Sequence, residues 1–292
     1  MPLKDALQDG KFVVTSEVGP LKGTDISEVS EMAEVLNGKI DGVNVTDQQS
    51  AVMRLGSLAT CKLLVDKGMD AIFQMTCRDR NRLALQSDLL NASVFGIKNV
   101  LAITGDFPTL GDHIDARDVY DLDCEQLIWT INRMNEGYDL AGNELQGKTD
   151  FFIGAAVKPV SDTDASFELQ LAMMEKKINV GARFFQTQAV YDVDAFEKFM
   201  KRAEQCKVPV LAGIIPLKSV GMARYMNKNV AGVFVPEHLI EEMAKAEDRV
   251  ATGLGQAARL ITDVKDLCQG VHIMAIGWET KVPQILEMAN LA

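Results

Sequence analysis

The chain has 292 residues, 47% of them hydrophobic and 24% charged, which is enough apolar material for a large core and too much for disorder. Its net charge of −11 argues against nucleic acid or an anionic membrane as the main partner. With no apolar run near ~18 residues and no charged-then-apolar opening, the expected location is cytoplasmic. Five scattered cysteines without a CxxC pair fit a reducing compartment and speak against a zinc or iron–sulfur site.

Short β-branched runs alternate with amphipathic runs along the whole chain. Strands are predicted over residues 12–17, 42–46, 71–75, 100–104, 151–157, 184–187, 210–215 and 272–276. A ninth candidate, 230–235, reads as an extra segment after strand seven. Between the strands, 50–67, 78–95, 166–180, 193–206 and 252–269 carry apolar residues at helical spacing. Gly68, Gly96, Gly181 and Gly270 follow four of these helices, where a left-handed cap favours glycine. Strand–helix–strand units of about 30 residues imply parallel strands with right-handed crossovers. Eight of them predict an α/β fold, a (β/α)8 TIM barrel forming a single domain over residues 1–292. A doubly wound sheet is the alternative, weakened because no GxGxxG or GxxxxGK[ST] follows a strand. Two excursions, 107–123 and 136–150, are long enough to be binding loops, and Asp123 is placed to cap the helix after the first.

A barrel brings its C-terminal strand ends onto one face. Here these are Glu17, Thr46, Gln74, Thr104 with Asp106, Lys158, Gln188, Pro216 and Gly277. Carboxylates among amides and hydroxyls suit a polar heterocycle better than a sugar phosphate. The three histidines, His113, His238 and His272, lack metal-ligand spacing, and no metal is expected. Glu17 reads either as a salt-bridged carboxylate or as a general acid in the barrel mouth. Asp106 reads as a turn residue or a ligand contact. Gln188 and Tyr120 are open in the same way, and Lys176-Lys177 is either a solvated helix face or a phosphate contact.

Taken together in order, Ser16-Glu17 before Gly-Pro, Gln74-Met-Thr-Cys77, Leu101 to Pro108 (LAITGDFP), Val119-Tyr-Asp-Leu-Asp123, Phe184-Phe-Gln-Thr-Gln188 with Tyr191-Asp192, and Leu211 to Pro216 (LAGIIP) closely resemble the methylenetetrahydrofolate reductases. The resemblance runs from about residue 10 to the end and suggests that family's compact catalytic barrel. It implies flavin-dependent reduction of 5,10-methylenetetrahydrofolate to 5-methyltetrahydrofolate. In that reaction an acid matched by Glu17 promotes opening of the substrate ring, and hydride comes from flavin N5. Asp106 matches an aspartate near flavin and pterin, and Gln188 a folate contact. Thr46, Gln74, Thr104, Gly105, Asp106, Tyr120, Lys176 and Lys177 fall at flavin-side positions. Four departures stand out. Gln74 replaces a common histidine and Thr104 an arginine before Gly-Asp. Val157-Lys158-Pro159 differs after strand five, and Ala275 to Glu279 (AIGWE) replaces a Leu-Asn-Arg-like ending. The resemblance thus implies a flavin, FAD or FMN, reduced by NAD(P)H or by a protein electron donor. It also implies a folate substrate and a homo-oligomer, with an electron-transfer partner subunit as a further expectation. A flavin-free pterin methyltransferase, a folate-binding barrel or a subunit of an electron-transfer complex are the alternatives.

Overall fold

In the computed structural model, which describes every residue except Asp162, Ala231 and Ala292, eight strands follow one another round a closed parallel barrel. They are β1 (Val13–Val18), β2 (Gly42–Val45), β3 (Ala71–Thr76), β4 (Asn99–Ile103), β5 (Phe152–Val157), β6 (Phe184–Ala189), β7 (Val210–Ile214) and β8 (Gly270–Ile273). The ring closes where Val13 and Ser16 of β1 stand beside Gly270 and Ile273 of β8. The (β/α)8 expectation is met. Helices α1 (Leu3–Gln8), α2 (Ser27–Leu36), α3 (Ser57–Asp66), α4 (Arg82–Val94), α5 (Cys124–Glu136), α6 (Asp164–Val180), α7 (Val193–Ala203), α8 (Val220–Asn229), α9 (Glu237–Lys245), α10 (Arg249–Val264) and α11 (Val282–Met288) complete the order. Strands covered on both faces need apolar residues almost throughout, which is why β-branched runs mark them in the sequence. No helix among the described residues is long and apolar enough to cross a membrane.

Side chains alternate in and out along each strand, so residues two apart stack in layers inside the barrel. The layer at the N-terminal end is apolar: Val13, Ile72, Leu101, Phe152, Phe184 and Leu211 form one cluster, which α1 closes with Leu3, Ala6 and Leu7. The rings of Phe152 and Phe184 stack at 4.9 Å. Gly154 makes this possible, since a Cβ there would fall 2.3 Å from Phe184 Cζ. Two residues further along, the inward positions become polar: Thr15, Asn44, Gln186 and His272 are all buried. Two residues beyond those stand Glu17, Thr46 and Gln188.

Several expectations are corrected. The helix expected over 50–67 begins only at Ser57, because Gln48, Ser50 and Ala51 adopt left-handed backbone angles that interrupt it. The helix expected from residue 78 begins at Arg82, where the Asn81 side chain caps the Leu83 and Ala84 amides. Gly270 caps nothing: α10 ends at Val264, and Gly270 opens β8 where a Cβ would lie 2.3 Å from Val13 O. Residues 230–235 make no strand among the described residues. The Asn227 side chain takes both backbone groups of Val235, donating to its carbonyl at 2.9 Å and accepting from its amide at 2.6 Å. Asp123 caps α5 as expected, in a reciprocal box with Gln126.

Candidate active site

A cavity of about 590 Å³ opens at the C-terminal mouth of the barrel, within the size range of small-molecule sites. Its lining includes Glu17, Thr46, Gln74, Thr104, Gly105, Asp106, Lys158 and Gln188. Strand ends far apart in sequence therefore meet in one wall. The remaining strand ends, Pro216 and Gly277, are absent from that lining. Of the lysine pair on α6, Lys177 reaches the cavity and donates to the Ala156 carbonyl at 2.9 Å. Lys176 is exposed and outside it. Tyr120 stands behind the wall, its hydroxyl donating to the carbonyls of Gly105 (3.1 Å) and Asp106 (3.3 Å).

Glu17 is 9% exposed. Its two oxygens accept hydrogen bonds from an amide on β3 and one in the loop after β2: Oε2 from Gln74 Nε2 at 3.2 Å and Oε1 from Gln49 Nε2 at 3.4 Å. His272 Nε2 lies 3.7 Å from Glu17 Oε2, beyond hydrogen-bond length. The other ring nitrogen, Nδ1, sits 3.0 Å from Thr15 Oγ1. Below, Asn44 and Gln186 exchange a pair of amide hydrogen bonds at 2.8 and 3.0 Å across the barrel. Gln186 also donates to Thr15 Oγ1 at 3.4 Å. This satisfied polar floor lets the barrel carry a carboxylate above an apolar core without orphaned groups. At the end of β6 the register slips between Gln186 and Ala189, and such bulges re-aim side chains; Gln188 lies in this stretch.

The opposite wall is made by the loops after β2, β3 and β4. Asp47 accepts from the Thr76 amide (2.8 Å) and hydroxyl (2.9 Å) and pairs with Arg80. Beyond it Gln48, Ser50 and Ala51 have φ of 52°, 56° and 57°, a conformation costing about 1–3 kcal/mol per residue. The Gln48 side chain offsets part of this by exchanging two bonds with the Arg54 backbone. Arg78 is 2% exposed. Burial works against its charge, but the hydrogen bonds and charge of Asp79 raise its pKa above the ordinary value, so it stays ionised. Gly105 turns the chain after β4 at φ 88°, and a Cβ there would strike Thr76 at 3.0 Å and crowd Arg78 Cβ at 3.3 Å.

One atom in the cavity wall asks for a partner. Thr46 Oγ1 is buried with no hydrogen bond among the described residues, at a position that the family resemblance implies faces a flavin. An unpartnered buried hydroxyl is uncommon in native proteins and is a natural place for a ligand's polar atom. Lys158 and Lys177 add cationic side chains to the lining, as a phosphorylated cofactor would require. The residues present fit such a group.

The methylenetetrahydrofolate reductase family model matches residues 2–290. The chain belongs to that family. Methylenetetrahydrofolate reductase 2 of Schizosaccharomyces pombe is 24% identical over 243 residues, covering 76% of this chain and 36% of that protein. The 5,10-methylenetetrahydrofolate reductase of Pectobacterium carotovorum is 25% identical, covering 72% of this chain and 66% of that protein. The chain therefore spans about a third of the length of the yeast relative. Among solved structures, a Clostridium thermocellum protein described as binding two copies of 5-methyl-5,6,7,8-tetrahydrofolic acid superposes with a TM-score of 0.68. It is 16% identical and covers 99% of this chain and 98% of its own. At that identity the likeness speaks for the fold.

Several residues of the site escape strand-end reasoning. His272, Gln186, Asn44, Asp47, Gln49 and Arg78 all line the cavity or support residues that do. The inward ones leave a trace in the alternation Val13/Thr15/Glu17, Gly42/Asn44/Thr46 and Phe184/Gln186/Gln188, where polarity rises towards the C-terminal end. Arg78 leaves none, because its role depends on two other loops.

Proposed function

We propose that this member of the family reduces 5,10-methylenetetrahydrofolate to 5-methyltetrahydrofolate in the barrel mouth, with a bound flavin as hydride source. The convergence of Glu17, Gln74, Asp106 and Gln188 on one cavity carries this reading. Glu17 holds the proton that assists ring opening at the substrate nitrogen. Gln74 and Gln49 orient its carboxyl group from the two sides, and low exposure keeps competing water away. Asp106 supplies negative charge opposite the cationic form of the opened substrate. Gln188 offers an amide to the pterin or its linker.

The flavin, FAD or FMN, would be held by Thr46, Gln74, Thr104, Gly105 and Asp106, with Lys177 as phosphate partner and Tyr120 bracing the wall. When bound it supplies the hydride. Its own reductant is NAD(P)H or a protein donor, and folate is the partner molecule the site selects. The protein is proposed to act in the cytoplasm as a homo-oligomer, in which form an electron-transfer subunit would dock.

The visible absorption spectrum of the purified protein tests this directly. A flavin spectrum that bleaches on reduction and returns on adding 5,10-methylenetetrahydrofolate is the expected result. A colourless protein that still binds folate, and takes up neither FAD nor FMN, overturns it in favour of a folate-binding barrel.

A further inference from the structure

The Arg78 guanidinium joins the loops after β2, β3 and β4, at a point apart from the other links between them, where Asp47 pairs with Arg80 and the Met53 amide donates to Asp112. Its Nη1 donates to the Asp106 carbonyl at 3.2 Å and its Nη2 to the Gln48 carbonyl at 3.3 Å. Nε and Nη2 also grip the Asp79 carboxylate, each at 2.8 Å. Asp79 thereby fixes the orientation of a planar fork, and the fork fixes two loops. One of those loops carries the left-handed residues Gln48, Ser50 and Ala51. The other carries Asp106.

The rest of the neighbourhood points the same way. The stem of Arg78 lies under Gly105, and its own carbonyl accepts from the Val119 amide at 2.8 Å. Tyr120, next in sequence, donates to the Gly105 and Asp106 carbonyls. The Asp106 carbonyl is thus held from two sides, while nothing in the structure hydrogen-bonds its carboxylate to the protein among the described residues. Its side chain is left available to the cavity and its backbone is not.

We propose that Arg78 is a positioning residue: it clamps the β2 loop to the β4 loop and so aims the Asp106 carboxylate into the cavity. The role of Asp106 that this serves rests on the function proposed above; the clamp itself does not. A lysine cannot replace the fork, since one ammonium cannot span Asp79 and two carbonyls at once. Arg78→Met retains the stem packed under Gly105 and removes only the donors.

Two measurements test the clamp. By hydrogen exchange of the intact protein, Arg78→Met should speed exchange in peptides covering both 48–51 and 104–111, leaving the barrel strands as in the wild type. Unchanged exchange, or loosening of one loop alone, overturns the clamp. In a double-mutant cycle on the folate-reducing step, Arg78→Met should cost about tenfold in the wild-type background and close to nothing in Asp106→Ala. Equal losses in both backgrounds overturn the action through Asp106. Should Arg78→Met fail to fold, Asp79→Asn weakens the same fork from outside and should loosen both loops to a smaller degree; no loosening there also overturns the clamp. A wild-type protein inert towards folate, with both loops loosened in the variant, refutes the proposed function and leaves the clamp standing.

Discussion

The two ends of the barrel are built from the same eight strands and do opposite work. At the N-terminal end the inward residues are Val13, Ile72, Leu101, Phe152, Phe184 and Leu211, sealed by α1. At the C-terminal end the same strands present Glu17, Gln74, Gln186 and Gln188 to a cavity of about 590 Å³. The lower layer gains stability by removing apolar surface from water, at about 1.5–3 kcal/mol for each large side chain. The upper layer gives that up, since polar groups buried there bring little net stability and a large penalty if left unpaired. Stability and chemistry are separated by about two residues of strand, and the Asn44–Gln186–Thr15 floor is the boundary between them.

The sharpest way to break this division is to hollow out the lower layer. Phe184→Ala should cost about 3–5 kcal/mol, because a stacked ring with no room to be replaced leaves a cavity; denaturant unfolding measures it. If the loss were under about 1 kcal/mol, the lower layer would not be the source of stability. The upper layer should behave in the reverse manner. Glu17→Gln should lower the folate-reducing rate by about 10²–10⁴-fold with little change in unfolding free energy and with cofactor binding retained. Normal turnover in single-turnover kinetics would remove Glu17 from the mechanism.

At the boundary, Asn44→Leu strips Gln186 of its paired amide and should destabilise by about 1–3 kcal/mol. A double replacement of both residues by apolar ones should cost less than the single change. Away from the barrel interior, Asp123→Ala removes the cap of α5 and should cost about 1 kcal/mol, read as a small drop in thermal midpoint without loss of rate. The smallest effect expected is a pH dependence at the lower rim. Burial raises the Asp70 carboxyl above its ordinary 3.8, against the hydrogen bonds it accepts from the Leu3 amide and Asn99. Between the ordinary and the raised value the folded state binds more protons than the unfolded chain. The Asp70 contribution to stability therefore declines as pH rises through that window and is constant above it. Asp70→Asn should remove this slope from a series of unfolding curves on the acid side, and an unchanged slope would assign it to another group.

Much of the site was legible because strand ends are marked by composition. Glu17, Thr46, Gln74, Asp106 and Gln188 each follow an apolar run, and a parallel barrel has one C-terminal face on which to gather them. What the sequence hid was of two kinds. His272 and Gln186 lie inside strands, where a polar residue reads equally as a satisfied core group. Arg78, Asp47 and Gln49 lie in loops whose mutual distances depend on how neighbouring loops pack. The same limit explains the lysine pair: adjacent residues on a helix point about 100° apart, and only the docking of α6 decides that Lys177 faces the cavity while Lys176 faces solvent.

By itself the sequence determined the fold class, the strand order and the chemical character of the barrel mouth, since these follow from local periodicity and from the handedness of parallel crossovers. Only the tertiary structure decided where the helix after β2 starts, which strand ends share the cavity, and that one buried guanidinium ties Gln48 to Asp106. The physical reason is common to all three. Hydrogen bonds between loops join residues about 30 apart in the chain, and no local preference encodes the angle at which such loops meet.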